Sequence, residues 1–134
     1  MRRIPRGTWV LVADGASARL FTNIGGENGQ VVLHQEAAIA LDPKEGEMPA
    51  ILPPEVNAKE AEEAGFAREM ARRLNEHALH SRFQHLVLAA DPQTLGQMRP
   101  LLHEEVRSRL LVEVPKNYTN LRREQIEQAL APDF

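Results

Sequence analysis

The chain has 134 residues, of which 43% are hydrophobic and 26% are charged, and it contains no cysteine. This length and composition predict one globular domain over residues 1–134, long enough to bury a core. The formal net charge of -3 excludes a global basic field that would attract nucleic acid. The absence of cysteine excludes disulfides, thiolate catalysis and Cys-based zinc sites.

The apolar stretches of the sequence are too short for a membrane span or a signal peptide. No stretch approaches the ~18 consecutive apolar residues of a membrane span, and the apolar run at residues 9–13 is too short for the core of a signal peptide. We therefore expect a cytoplasmic protein without membrane insertion.

The first third of the chain predicts an antiparallel meander. Residues 8–14 form a continuous apolar run suited to a central strand, and residues 18–23 alternate in polarity. The glycine-rich residues 25–29 favour a hairpin loop, because glycine permits positive φ. Residues 30–37 supply a third strand. Residues 38–56 then predict a long loop because they contain four prolines: Pro43, Pro49, Pro53 and Pro54.

A long helix should follow. Asn57 is a plausible N-cap, with Glu60 three residues later in a capping-box pattern. Apolar residues at intervals of four predict a face that packs on the sheet; they are Phe66, Met70, Leu74 and Ala78.

The remainder predicts strand 85–90, a helix near 92–102, a shorter helical piece through Arg109, strand 110–114 and a last helix at about 121–131. The element order is βββαβαβα. We expect an α/β domain in which a mixed sheet of about five strands carries helices on its faces.

Two stretches carry a resemblance to a known family. They read FQHLVLAADPQTLGQMRPLLHEEVRSRLLVEVPKNYTNL at residues 83–121 and WVLVADGASARLF at residues 9–21. Together they resemble the bacterial host-attachment protein family, which is similar to the middle domain of archaeal and eukaryotic class-one peptide release factors. The resemblance implies that fold, a ribosome- or RNA-associated partner, and a role in attachment to host cells.

The resemblance does not extend to release chemistry. The release-factor middle domain carries a Gly-Gly-Gln loop just before its long helix, and that loop reaches the peptidyl transferase centre. No Gly-Gly-Gln precedes the matching stretch at residues 60–70, and the glycines at 25, 26 and 29 belong to the predicted hairpin. Where the family commonly reads Lys-Asp-Leu-Thr, residues 116–119 read Lys-Asn-Tyr-Thr. A cap or turn role is therefore what remains for Asn117.

Two carboxylates follow predicted strands directly. If the strands before Asp14 and Asp91 are parallel neighbours, the carboxylates would flank a crevice where α/β proteins bind ligands. They could then hold Mg²⁺ or act as an acid/base pair. The competing interpretation places Asp14 in a turn before Gly15, and makes Asp91 a helix cap before Pro92.

Histidines and arginines offer two further candidates. His77 and His80 share a helix face and could contribute to a metal site, although helix-end compensation explains them equally well. An anion- or RNA-binding patch could include Arg68, Arg72, Arg99 and Lys116, since the planar guanidinium binds phosphate bidentately. Glu69 can instead pair with Arg72 and Arg73 along the helix.

The sequence therefore predicts a non-catalytic binding protein without a cofactor, with a ribosome, RNA or protein partner. The alternative is a metal-dependent hydrolase or nuclease that uses Asp14 and Asp91.

Overall fold

A five-stranded mixed sheet organises the chain in the computed structural model, which describes residues 4–25, 30–40 and 58–130. The apolar runs found in the sequence form its strands, because β-branched and aliphatic residues pack well on a pleated surface. The strands are β1 Trp9–Ala13, β2 Ser17–Asn23, β3 Leu33–Ala40, β4 Leu86–Ala90 and β5 Leu110–Val114.

The strand order across the sheet is β3-β2-β1-β4-β5. The first three strands form the predicted antiparallel meander, with β2 paired to both β1 and β3. Strand β1 pairs in parallel with β4, and β4 pairs in parallel with β5. The carboxyl ends of β1, β4 and β5 consequently share one edge of the sheet, and we call it the carboxyl edge.

Helices connect and cover the sheet, so the predicted α/β class and the order βββαβαβα are confirmed in a single domain. The helices are α1 Ala58–Leu79, α2 Pro92–Met98, α3 Glu104–Arg107 and α4 Arg123–Ala129. The predicted helix 92–102 is split, because α2 ends at Met98 and a 3₁₀ turn spans Arg99–Leu101. Pro100 has no N–H to donate to an i−4 carbonyl, which explains the change of helix type.

Helix α1 packs as its apolar spacing predicts. Phe66, Met70, Leu74 and Ala78 are all buried. The helix ends in a Schellman motif, where Arg82 N–H donates to the His77 carbonyl at 2.9 Å and Ser81 N–H to the Ala78 carbonyl at 3.0 Å. Ser81 adopts a left-handed φ of 53°, which is unusual for a residue with a side chain.

Two apolar clusters lie on opposite faces of the sheet. Alternation along β1 sends Leu11 and Ala13 to the cluster that includes residues of α1, α2 and α3. Val10 and Val12 face the other cluster, which also contains Ile126 of α4 and Leu130 directly after it. Among residues 4–25, 30–40 and 58–130, no helix has the length and apolar character needed to cross a membrane.

Some predicted boundaries need correction. Strand β3 runs from Leu33 to Ala40, so the predicted proline-rich loop over 38–56 begins too early. Pairing of Ser17 with Ala40 keeps residues 38–40 in the sheet, because backbone hydrogen bonding outweighs the weak strand propensity of alanine. The last helix begins at Arg123 and ends at Ala129, shorter than the predicted 121–131. The rest of the loop, the Asn57 cap and hairpin residues 26–29 lie outside the described residues.

Candidate functional site

Asp14 and Asp91 directly follow two neighbouring parallel strands at the carboxyl edge. Ala13 pairs with Ala90 in the β1–β4 ladder, and each aspartate is the first residue after its strand. The sequence predicts a ligand crevice between the two carboxylates if their strands are parallel neighbours. The topology meets that condition, so the function of the edge depends on the contacts that each carboxylate makes.

The Asp14 carboxylate holds together the turn that joins β1 to β2. Its Oδ1 accepts hydrogen bonds from the Ala16 N–H at 2.8 Å and the Ser17 N–H at 2.7 Å. Its Oδ2 accepts from the Thr119 hydroxyl, also at 2.8 Å. Partial burial raises the pKa of Asp14, but these hydrogen bonds lower it by more, so that it lies below the ordinary value of 3.8. Asp14 is therefore an ionised anchor at neutral pH.

The segment after β5 contacts Asp14 through Thr119, although β4 lies between β1 and β5 in the sheet. Asn117 Oδ1 accepts from the Thr119 backbone N–H at 2.9 Å, which forms a side-chain turn of the kind expected for this position. Arg19 on β2 then donates through Nη1 to the carbonyls of Thr119 and Leu121, at 3.3 and 2.6 Å. Hydrogen bonds thus join residues of the β1–β2 turn, β2 and the β5–α4 connection into one polar cluster.

Asp91 is the N-cap of α2. Its Oδ2 accepts from the Thr94 N–H at 3.1 Å, and Pro92 occupies the first helical turn, as the cap interpretation predicts. Its Oδ1 is buried and has no hydrogen-bond partner in the described part of the chain. Asp14 therefore stabilises a turn and Asp91 caps a helix, and Asp91 keeps one oxygen at the carboxyl edge without a partner among the described residues.

Of the four cationic candidates, two form ion pairs with glutamates and two form none with the described residues. Arg72 bonds Glu69 and Glu76 on the same helix, and Arg99 bonds Glu113 of β5. Hydrogen bonds from Arg72 lower the pKa of Glu69 to about 2. Arg68 and Lys116 are exposed and form no ion pair with any described residue. The predicted pairing of Glu69 with Arg72 and Arg73 is confirmed by contacts of 2.7 and 3.1 Å.

The two histidines have different surroundings. His77 is half-buried, with its ring edge-on to Trp9 at a centroid distance of 5.3 Å and its Nδ1 atom buried without a partner. His80 is exposed. Burial, with the positive charge of Arg82 as the next cause, lowers the pKa of His77 below its ordinary value of 6.5. Within the described residues, no group of three or more His, Asp and Glu side chains is arranged to hold a metal ion.

A groove of about 500 Å³ lies between α2, the 3₁₀ turn, α3 and β5. We call it the α2–β5 groove, and its lining residues are Gly96, Arg99, Pro100, Leu102, Arg107 and Glu113. Within it, Glu113 accepts from Arg99 Nη2 at 2.8 Å and from Nε at 3.1 Å. The groove thus joins one of the predicted anion-binding residues to groups that the sequence interpretation did not select.

Sequence reasoning missed Arg19, Arg107 and Glu113. Glu113 carried a usable signal, because it is a lone charge inside the apolar strand Leu110–Val114 and needs a partner there. Arg19 and Arg107 carried none, because an arginine on an alternating strand or a short helix is ordinary on a protein surface.

Comparison with known families identifies the family to which the chain belongs. The chain matches bacterial archaeo-eukaryotic release factor family 12 over residues 7–130, which is nearly its whole length. The protein belongs to that release-factor-like family. No curated protein matches the chain.

Proposed function

We propose that this protein is a non-catalytic binding protein whose partner is the ribosome or its RNA, contacted through Arg68, Arg72, Arg99 and Lys116. Membership of a release-factor-like family supports a translation-related partner. The observation that carries the non-catalytic part is the Asp14 carboxylate, whose two oxygens are both engaged by its own turn and by Thr119. A carboxylate whose oxygens are engaged and whose pKa is lowered is a poor general base.

The cationic residues would contribute unequally. Arg68 and Lys116 have exposed side chains without an ion pair to a described residue, so a phosphate would displace none of the described carboxylates there. Arg72 would have to leave Glu69 and Glu76, and Arg99 would have to leave Glu113. We therefore assign the first contact to Arg68 and Lys116, and expect the affinity to fall steeply with salt as phosphate contacts release counterions.

Cosedimentation with bacterial ribosomes tests the proposal. The parent protein should pellet with ribosomes at low salt, and nuclease treatment of the ribosomes should abolish this. Arg68→Glu combined with Lys116→Glu should remove binding without unfolding the protein. The matched control combines Arg6→Glu with Arg82→Glu. Both arginines are exposed, and they precede β1 and β4 at the opposite edge of the sheet. Equal ribosome binding by the two double variants would contradict the proposal.

Release activity provides a separate test. The chain contains no Gly-Gly-Gln sequence, so the flexible backbone that release chemistry uses is missing. Purified protein added to ribosomes loaded with peptidyl-tRNA should leave the ester bond intact, whether or not it binds them. Hydrolysis above the buffer rate would show that the protein is an enzyme after all.

A hydrolase or nuclease is the second candidate, because Asp14 and Asp91 share the carboxyl edge and Asp91 Oδ1 is buried without a partner. A Mg²⁺-dependent activity on RNA that disappears in Asp91→Asn, at unchanged thermal stability, would favour this candidate over binding alone. The host-attachment role implied by the resemblance is not included in the proposal, because no feature of the described residues supports it.

A further inference from the structure

The α2–β5 groove combines two arginines with one carboxylate. Arg107 donates through Nη2 to the Arg99 carbonyl at 2.9 Å, and its Nε and Nη1 have no partner among the described residues. Arg99 is bound to Glu113. Pro100 and Leu102 supply apolar wall. The groove therefore has a net positive lining and unused guanidinium donors.

The Arg99–Glu113 contact shows which chemical group the groove suits. Two nitrogens of the Arg99 guanidinium, Nε and Nη2, face the Glu113 carboxylate at 3.1 and 2.8 Å. Paired N–H donors of this kind recognise a carboxylate or a phosphate equally well. Glu113 thus occupies the position that an incoming oxyanion would take, and it would compete with that anion for Arg99.

Gly96 provides an independent observation. It lies inside α2, where glycine is a poor helix former, and a side chain there would meet no atom within 4 Å. Neither close packing nor a positive φ in the described residues calls for glycine at this position. The missing side chain instead leaves the wall of the groove open, because Gly96 is one of its lining residues.

We infer that the α2–β5 groove is a subsite for a phosphate group of an RNA strand, with Arg99 and Arg107 as its ligands and Glu113 as an internal competitor. The inference rests on the proposed function, since the RNA partner follows from it. Entry of the phosphate replaces the Glu113 carboxylate at Arg99, so the groove binds weakly until that contact opens. Gly96 keeps the entrance wide enough for the backbone of the strand.

Binding of a fluorescent single-stranded RNA oligonucleotide, followed by anisotropy over a salt series, tests the inference. Glu113→Gln should tighten binding about threefold or more, because Arg99 is released from its competitor. Arg107→Gln should weaken it about tenfold, since a charge-assisted hydrogen bond is lost. It should also reduce the slope of log affinity against log salt by about 0.7, the value for one phosphate contact to a single strand.

Gly96→Leu tests the shape of the groove. Leucine favours the helix and has open space at this position, so the variant should fold while blocking the entrance and weakening RNA binding. The matched controls lie on α4, which packs on the opposite face of the sheet. Gln128→Leu adds the same side chain at an exposed position, and Glu124→Gln removes the same charge. Both controls should bind RNA like the parent.

The outcomes separate this inference from the proposed function. RNA binding by the parent that stays unchanged in Gly96→Leu and Arg107→Gln overturns the subsite and leaves the proposed function standing. Absence of RNA binding in both the parent and Glu113→Gln overturns the subsite, and absence of ribosome cosedimentation as well overturns the proposed function. Binding of a poly-glutamate peptide instead of RNA, lost in Arg107→Gln, also overturns the inference and identifies an acidic protein as the partner.

Discussion

The hydroxyl of Thr119 lies 2.8 Å from Oδ2 of Asp14, although 105 residues separate the two positions in the chain. The same hydroxyl is 2.6 Å from Asn117 Oδ1. A hydroxyl has one proton to donate, and the ionised carboxylate is the stronger acceptor. The contact therefore connects the β1–β2 turn to the segment that leads from β5 to α4, and it helps to position α4 on the sheet.

Thr119→Val should lower the free energy of unfolding by about 1–2 kcal/mol, because Asp14 Oδ2 loses a donor while the volume is kept. The pKa of Asp14, followed by NMR titration, should rise towards 3.8. Thr119→Ser retains the hydroxyl and should keep the low pKa. A valine variant with the parent's stability and an unchanged Asp14 pKa would show that the contact is not formed in solution.

Phe66→Ala should reduce the free energy of unfolding by roughly 3–5 kcal/mol, because Phe66 is 4% exposed and its removal leaves a cavity under α1. Arg72→Gln on the same helix should have a much smaller effect, since its ion pairs are exposed to solvent. Urea denaturation of both variants provides the comparison. Equal losses would mean that the buried face of α1 is wrongly assigned.

Ser81→Gly should stabilise the protein by about 0.5–1 kcal/mol. Ser81 holds a φ of 53° at the end of α1, where glycine avoids the cost of a left-handed side-chain-bearing residue but loses more entropy on folding. Ser81→Ala keeps the steric cost and should change stability little. Thermal unfolding of the two variants measures the difference, and a lower melting temperature for the glycine variant would contradict the expectation.

His77 should make stability depend on pH. Its folded-state pKa lies below 6.5, the ordinary value that the unfolded chain takes. Burial and the positive charges of Arg82, Arg73 and His80 disfavour the protonated ring, while Glu76 favours it. The unfolded state therefore binds the proton more readily, and stability is lost as the pH falls from 6.5 through the folded pKa. His77→Phe should lose less stability over that interval. His34→Gln, at an exposed position on β3, should behave like the parent; if it matches His77→Phe, the assignment to His77 fails.

Local sequence patterns predicted most of the helices and strands. The apolar runs at residues 9–13, 86–90 and 110–114 became strands, and the four-residue spacing from Phe66 to Ala78 became the buried face of α1. Errors occurred where the local signal was weak. Residues 38–40 look like loop because they are small and border a proline-rich stretch, yet pairing with β2 keeps them in the sheet.

The candidate site was predictable only in part. The cap role of Asp91 and the turn role of Asn117 follow from residues within three positions, so the sequence contains them. The ion pair of Arg99 with Glu113 joins residues 14 positions apart, and no local rule reaches that far. The engagement of Arg99 therefore became visible only in the folded chain.

The sequence by itself determined the α/β class, the order of elements and the buried face of α1, because each depends on the periodicity of neighbouring residues. The tertiary structure decided the strand order, the hydrogen bond between Asp14 and Thr119, and the ion pair between Arg99 and Glu113. These features depend on which distant segments pack together, and many pairings are compatible with the same local pattern until the whole core is assembled.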